Sequence, residues 1–424
     1  MLLKFTVENF KSFVDKVEFS MVPAPKQKDL EYSILSKKIQ GKEYKALPSS
    51  VVYGPNASGK TNIIGAFEVF FAIVERGDIR NREFLSPNGS MYFLELIPNT
   101  KLTEPKPTTF SIEFLMNEKH VIYQLAIDLG LFQDYNYDRK VLLERLTING
   151  KDEFIRKGKN VKIFDNKLVE IPKMLEQINK NLKDDELFFS NAYRTSFNGK
   201  LANEIMEHFK TKFDVVYRSD VIRMSRKMKE GQKYFHDEEL TSVAHKIGSC
   251  GEKVVFVSRS DEEGASSLGV TIPNDKEKDY LIPAELIESY GTIRILNMFP
   301  IIKYTLLNGA TLIVDEFDAS LHPMIVMHII NLFHDDDINK NNAQLIFNTH
   351  NPIFLNNNLF RRDEIKFVEK ENGNSIIYSL ADFGTSGKNP VRNTDNYMKN
   401  YFINKYGAIN EIDLTDLFAS EVQR

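Results

Sequence analysis

Residues 54–61 read Gly-Pro-Asn-Ala-Ser-Gly-Lys-Thr. Gly54, Pro55, Asn56, Ala57, Ser58, Gly59, Lys60 and Thr61 match G-x-x-x-x-G-K-[ST], a spacing that wraps backbone around phosphate. Its glycines let consecutive N–H groups turn inward onto anionic oxygen, and a helix start behind the loop adds partial positive charge. Lys60 would reach the β- and γ-phosphates of a nucleoside triphosphate, and Thr61 would offer a hydroxyl to Mg2+. A second set of groups lies far downstream. Thr311-Leu312-Ile313-Val314 ends in the acids Asp315 and Glu316. Asp315 would hold Mg2+, directly or through water, and Glu316 would polarise an attacking water as general base. Alone, such a pair also fits a strand that ends in exposed acids. Leu345-Ile346-Phe347-Asn348-Thr349 ends in His350. A neutral imidazole there would donate to a γ-phosphate or position the water; a histidine satisfied in the turn before Pro352 is the plainer reading. His322 stands just before Pro323 and suits a helix cap.

These groups act together only if a parallel sheet brings their strand ends to one edge. The pattern supplies such elements. Ser50-Val51-Val52-Tyr53 is a β-branched run before the loop, and residues 61–76 carry a helical apolar period. Leu312–Val314 and Leu345–Phe347 are short enough and apolar enough for buried strands, with helices over 293–307 and 323–333. Near the start, Leu3, Phe5 and Val7 alternate with polar residues, and a second strand is expected within 14–21. Segments 110–115, 121–127 and 141–148 read as an antiparallel meander, and 365–368 with 376–380 as a hairpin around Asn372-Gly373. The stretch from about 172 to 250 turns helical and more charged. The expected division is 1–165 for the first half of an α/β head, 166–251 for an inserted helical arm or lid, and 252–424 for the second half.

Composition narrows the classes. The chain has 424 residues, 42% hydrophobic and 27% charged, which is ordinary for two or three globular domains. No apolar run approaches the roughly 20 residues needed to span a bilayer, and Lys4, Glu8 and Lys11 interrupt the first apolar stretch, so neither a membrane span nor a secretory signal is expected. One cysteine, Cys250, rules out an internal disulfide and a Cys-based metal site, and a cytoplasmic setting is expected. The histidines show no HExxH spacing. The net charge of −4 leaves any nucleic-acid contact to a local patch. The candidates are Arg218, Arg223, Arg226, Lys227, Lys229 and Lys233, flanked by Asp220, Glu230, Asp237, Glu238 and Glu239, which also fits a solvated helical face.

Taken together, the motifs resemble the SMC/RecF/OLD-like branch of ABC-type ATPases, in particular AAA-type bacterial members linked to phage defence. Val7-Glu8-Asn9-Phe10-Lys11-Ser12-Phe13 is similar to the branch's opening strand and turn, bringing Lys11 and Ser12 toward the nucleotide. Tyr53 to Asn62 resembles its phosphate loop, adding Asn62 to the contact set. Residues 315–323 resemble its magnesium strand and D-loop, and Asn348-Thr349-His350 its switch strand. The resemblance implies an ABC-type head: a mixed central sheet with flanking helices and an antiparallel β subdomain. It implies ATP and Mg2+ as cofactors and slow hydrolysis. It also assigns Glu288-Ser289-Tyr290-Gly291-Thr292 as a signature segment, departing from the fuller LSGGQ pattern. Ser289 and Gly291 would meet the nucleotide held by a second copy, head to tail, in a dimer or larger homo-oligomer. On residue type alone, Ser289 is equally an N-cap. Gln124 is a candidate for the glutamine loop.

The chain after His350 is short for another domain of about 100 residues, and Asp335-Asp336-Asp337 and Asp363-Glu364 read as solvated acids, so no nuclease is expected here. By resemblance, the output would be a nucleotide-dependent switch controlling a separately encoded effector, a TOPRIM nuclease or a toxin, released when a phage protein is sensed. The ATPase subunit of PARIS defence systems is one example of that kind. A DNA-binding ATPase of repair or maintenance is the other reading.

Overall fold

The computed structural model describes the chain except residues 26, 28–29, 81–82, 86–90, 94, 135, 165–170, 219–231, 259–265, 275–278, 386–389, 410–414 and 416–424. At its centre is a six-stranded sheet, ordered Phe213–Val216, Thr311–Val314, Gln344–Asn348, Ser49–Tyr53, Ile365–Glu371, Asn374–Ser379. The first five strands run parallel and the last turns back antiparallel. That turn is Asn372-Gly373, both at positive φ (50° and 84°), which two-residue hairpins of this twist require.

Successive side chains of a strand point to opposite faces, and the core divides accordingly. Val52, Ile313, Ile346 and Val368 face the helix Lys60–Arg76. Val51, Leu312, Val314, Leu345, Phe347 and Phe367 face the helices Tyr290–Asn308 and Pro323–His334. Both faces are covered, which is why these strands read as continuous apolar runs.

On its far side, the helix Lys60–Arg76 packs against a seven-stranded sheet that includes Leu2–Glu8, Val17–Ser20, Thr108–Met116, Lys119–Asp128 and Lys140–Ile148. All its neighbouring strands are antiparallel. Phe5 stacks on Phe67 with ring centroids 4.0 Å apart, and Phe70 meets Phe110 and Tyr123. Each such buried ring contributes roughly 2–3 kcal/mol. The phosphate-loop helix is thus fixed between two sheets along its length.

The stretch expected as a helical arm is built differently. It holds helices Ile171–Asn181, Gly199–Lys212 and Glu238–Ile247, but Phe213–Val216 joins the central sheet. Leu187, Phe188, Phe189, Leu201 and Ile205 lie in the core beside the phosphate-loop helix. Tyr234–Asp237 opens a four-stranded antiparallel sheet with Lys253–Ser258, Ser266–Ile272 and Tyr280–Pro283. That sheet packs on Leu240 and Ala244 and on Ile293 and Leu296 of the long helix. Burial of apolar faces, more than helix propensity, decides the architecture of this region. A second difference concerns acids: Asp335–Asp337 are exposed, whereas Asp363 and Glu364 are buried, 4% and 0% exposed. Glu364 accepts from Ser49 Oγ and Asp363 accepts twice from Arg361, which compensates their burial. Among the described residues no helix is long and apolar enough to cross a membrane.

Candidate functional site

The phosphate loop leaves the strand Ser49–Tyr53 and enters the helix Lys60–Arg76. Gly54, Ala57 and Gly59 have φ of 156°, 62° and 112°, so the chain curls on itself there. There is no room for more than hydrogen at the two glycines. A Cβ on Gly54 would lie 2.3 Å from the Val368 carbonyl oxygen, and one on Gly59 would lie 2.6 Å from Ser12 Oγ and 2.7 Å from Ser375 Oγ. Ser375 Oγ donates to the Ser58 carbonyl (2.5 Å), and Asn62 Nδ2 donates to Ser12 Oγ (2.7 Å). The loop is therefore clamped between the turn at 9–13 and the hairpin 365–379. Pro55 is half-buried, Asn56 and Ala57 are exposed at the tip, and Ser58 is buried. No side chain caps the helix, an arrangement that receives an anion.

Lys60 is 5% exposed, and its ammonium donates to the carbonyls of Gly54 (2.7 Å) and Pro55 (2.9 Å). Burial lowers its pKa to about 8, while Asp315 and Glu316 pull it back up. Thr61, half-buried, follows it in the first turn of the helix.

Asp315, Asn348 and Gly54 leave adjacent parallel strands at one edge of the sheet. Asn348 joins the first two. Its Nδ2 donates to Asp315 Oδ1 (2.5 Å), and its Oδ1 accepts from the Glu316 backbone N–H (2.5 Å). Asp315 is held buried while Glu316 is turned outward, exposed, at φ 51°. A left-handed glutamate is an uncommon backbone state, and here Arg294 Nη2 also fixes its carbonyl (2.7 Å). His350 is exposed two residues beyond Asn348. Burial and the Lys60 ammonium hold its imidazole below the ordinary value, against Asp318 and Asp315. It is neutral at pH 7 and able to donate from one nitrogen.

Ser289 and Gly291 gather elsewhere. Ser289 Oγ accepts from the Thr292 backbone N–H (3.0 Å), capping the helix Tyr290–Asn308, and pairs with the Thr292 hydroxyl (2.9 Å). A Cβ on Gly291 would meet the Ser320 carbonyl oxygen at 2.3 Å. Gly291 thus lies against the loop that follows Asp315-Glu316, with Ser289 two residues before it in sequence. Around them Leu286 and Tyr290 are 73% and 78% exposed.

Lys11 ion-pairs with Glu95 and donates to the Tyr217 hydroxyl (2.9 Å). His322 Nδ1 accepts from the Met324 N–H (3.2 Å) as a helix cap. Gln124 lies mid-strand opposite Arg145 and Ser111 in the antiparallel sheet, away from the strand ends above. Arg223, Arg226, Lys227 and Lys229 of the basic segment lie outside the described residues. Sequence reasoning missed Asn348 as a holding residue, together with Ser375, Glu95 and Tyr217. Only Asn348 had a signal, its place two residues before His350.

A family model described as "AAA domain, putative AbiEii toxin, Type IV TA system" matches residues 49–356. No curated protein sequence matches the chain. Among solved structures, the SMC head domain from Thermotoga maritima is 14% identical, with 89% of this chain and 98% of that one covered and a TM-score of 0.36.

Proposed function

The chain belongs to this AAA-domain family, and from that premise we propose that it binds ATP with Mg2+, hydrolyses it slowly and works as a nucleotide-driven switch. The observation that carries the reading is the adjacency, at one sheet edge, of the Lys60 loop, the Asn348-held Asp315 and the outward-turned Glu316. The residues suit the ligands: the helix start behind the loop has no side-chain cap and leaves its N–H groups for phosphate, and a buried carboxylate stands two strands away for a cation. Mg2+ would neutralise phosphate charge and be held by Thr61 and Asp315. Gly54 to Asn62 would wrap the phosphates, with Lys11 and Ser12 at the side. Glu316 would take a proton from water, and His350 would donate to the γ-phosphate.

Two copies would close head to tail, with Ser289 and Gly291 of one completing the pocket of the other. Support comes from the placement of Gly291 against the Ser320 loop, with Leu286 and Tyr290 exposed around it. Its output would be control of a separate effector, a TOPRIM nuclease or toxin, in antiphage defence, with a phage protein as trigger; the wording of the family description supports a toxin–antitoxin setting alone.

Lys60→Ala is expected to lose nucleotide binding, and Glu316→Gln to retain it and accumulate as a pair of chains. ATP affinity at the wild-type level in Lys60→Ala, or wild-type turnover in Glu316→Gln, contradicts these assignments.

A further inference from the structure

The Glu95 carboxylate binds an unusual set of groups. Its Oε1 accepts from Arg218 Nη1 (2.7 Å), and its Oε2 accepts from the Tyr217 hydroxyl (2.8 Å) and pairs with the Lys11 ammonium. Two cations and a phenol thus converge on one carboxylate. Burial pushes that carboxyl up, but Lys11, Tyr217 and Arg218 together hold it below the usual range.

This cluster sits at the reaction edge. Val216 pairs in parallel with Val314, and the Val216 carbonyl accepts from the Asp315 N–H (2.9 Å). Tyr217 and Arg218 therefore leave the sheet alongside Asp315 and Glu316. The Tyr217 ring rests against Gly65 of the phosphate-loop helix, where a Cβ would come within 2.9 Å of it. Lys11 precedes Ser12, whose hydroxyl touches the loop at Gly59 and Asn62. Lys11 thus adjoins the loop through Ser12, and Arg218 follows the strand next to Asp315's, on the same side of the loop as Asn348. Glu95 also lines a cleft of about 760 Å3 that includes Arg80 and Arg139.

We propose that Lys11 and Arg218 form a second cationic wall for the phosphates of a bound nucleoside triphosphate, and that Glu95 occupies this wall until the nucleotide displaces it. The inference rests on the nucleotide reading above and adds Arg218 and Glu95 to it. Phosphate oxygens and a carboxylate are alternative acceptors for the same guanidinium and ammonium. Removing the carboxylate's charge therefore strengthens nucleotide binding, whereas a carboxylate that merely orients Lys11 would weaken it when removed.

The test is a titration of the full chain with a fluorescent ATP analogue in Mg2+, comparing wild type, Lys60→Ala, Glu95→Gln, Tyr217→Phe and Arg218→Gln. Glu95→Gln is expected to lower Kd about tenfold, the factor for one charge-assisted interaction set free. Tyr217→Phe removes a donor to Glu95 and lowers Kd by less; Arg218→Gln raises it several-fold. If wild type binds and Lys60→Ala does not, an unchanged or raised Kd in Glu95→Gln overturns the proposal and leaves the phosphate loop standing. If Glu95→Gln fails to fold, Tyr217→Phe, which keeps its ring against Gly65, decides by the same criterion. A wild type that binds no nucleotide removes both readings.

Discussion

Raising the pH from 7.5 to 9 weakens triphosphate binding about eightfold if Lys60 is the group that meets the phosphates. Burial lowers the free protein's Lys60 to about 8. About three-quarters of the lysines are then charged at pH 7.5 and about one in eleven at pH 9. A triphosphate binds the charged form and raises its pKa, so above pH 8 each binding event must draw a proton from solvent. The sign is fixed: affinity falls as pH rises through the free-state value and is flat well below it. Calorimetric titration in two buffers of different ionisation enthalpy counts those protons directly. Uptake of about 0.9 proton per nucleotide is expected at pH 9 and about 0.2 at pH 7.5. Lys60→Arg, which stays charged, is expected to abolish the uptake. PH-independent affinity with no proton uptake in the wild type would refute the placement of Lys60 against the phosphates.

Asn348→Leu keeps the branched shape of the side chain but leaves Asp315 and the Glu316 N–H without their shared partner. It is expected to cost about 2–4 kcal/mol in denaturant unfolding and to abolish ATP turnover. Glu68, on the phosphate-loop helix, is raised from 4.5 to about 7 by burial and then by Glu75. The folded chain holds a proton there that the unfolded chain has lost, so stability falls as pH rises through that window. Glu68→Gln is expected to gain about 1–3 kcal/mol at pH 8 and nothing at pH 4, read from unfolding curves at both values.

The strand–loop–helix unit at 49–76 was legible because its three parts are contiguous and each carries its own local pattern. The strands at 110–148 announced themselves by alternation, and the final hairpin by Asn372-Gly373. The strand Phe213–Val216 did not. It spans four residues, follows a helix directly and owes its place to pairing with Thr311–Val314, about a hundred residues away. Pairing at that separation has no local signature. The four-stranded sheet was hidden similarly, because its first strand is short and opens directly into the helix Glu238–Ile247. The site divides along the same line. Lys60, Asp315, Glu316 and His350 stand at the ends of local patterns. Asn348, Ser375 and Glu95 act through contacts between distant segments, and their residue types alone gave no reason to single them out. Asp363 and Glu364 show the converse: adjacent acids resemble surface until Ser49 and Arg361 are seen to satisfy them.

The central claim is that one chain's phosphate loop is completed by another chain's Ser289 and Gly291. Mixing Lys60→Ala chains with Ser289→Arg chains tests it most directly, since each mixed pair has one pocket with both halves intact. Neither variant is expected to hydrolyse ATP alone, and the equimolar mixture is expected to recover about a quarter of wild-type turnover, because half the pairs are mixed and each carries one good site of two. Full turnover by Ser289→Arg alone, or no recovery on mixing two folded variants, would contradict the account.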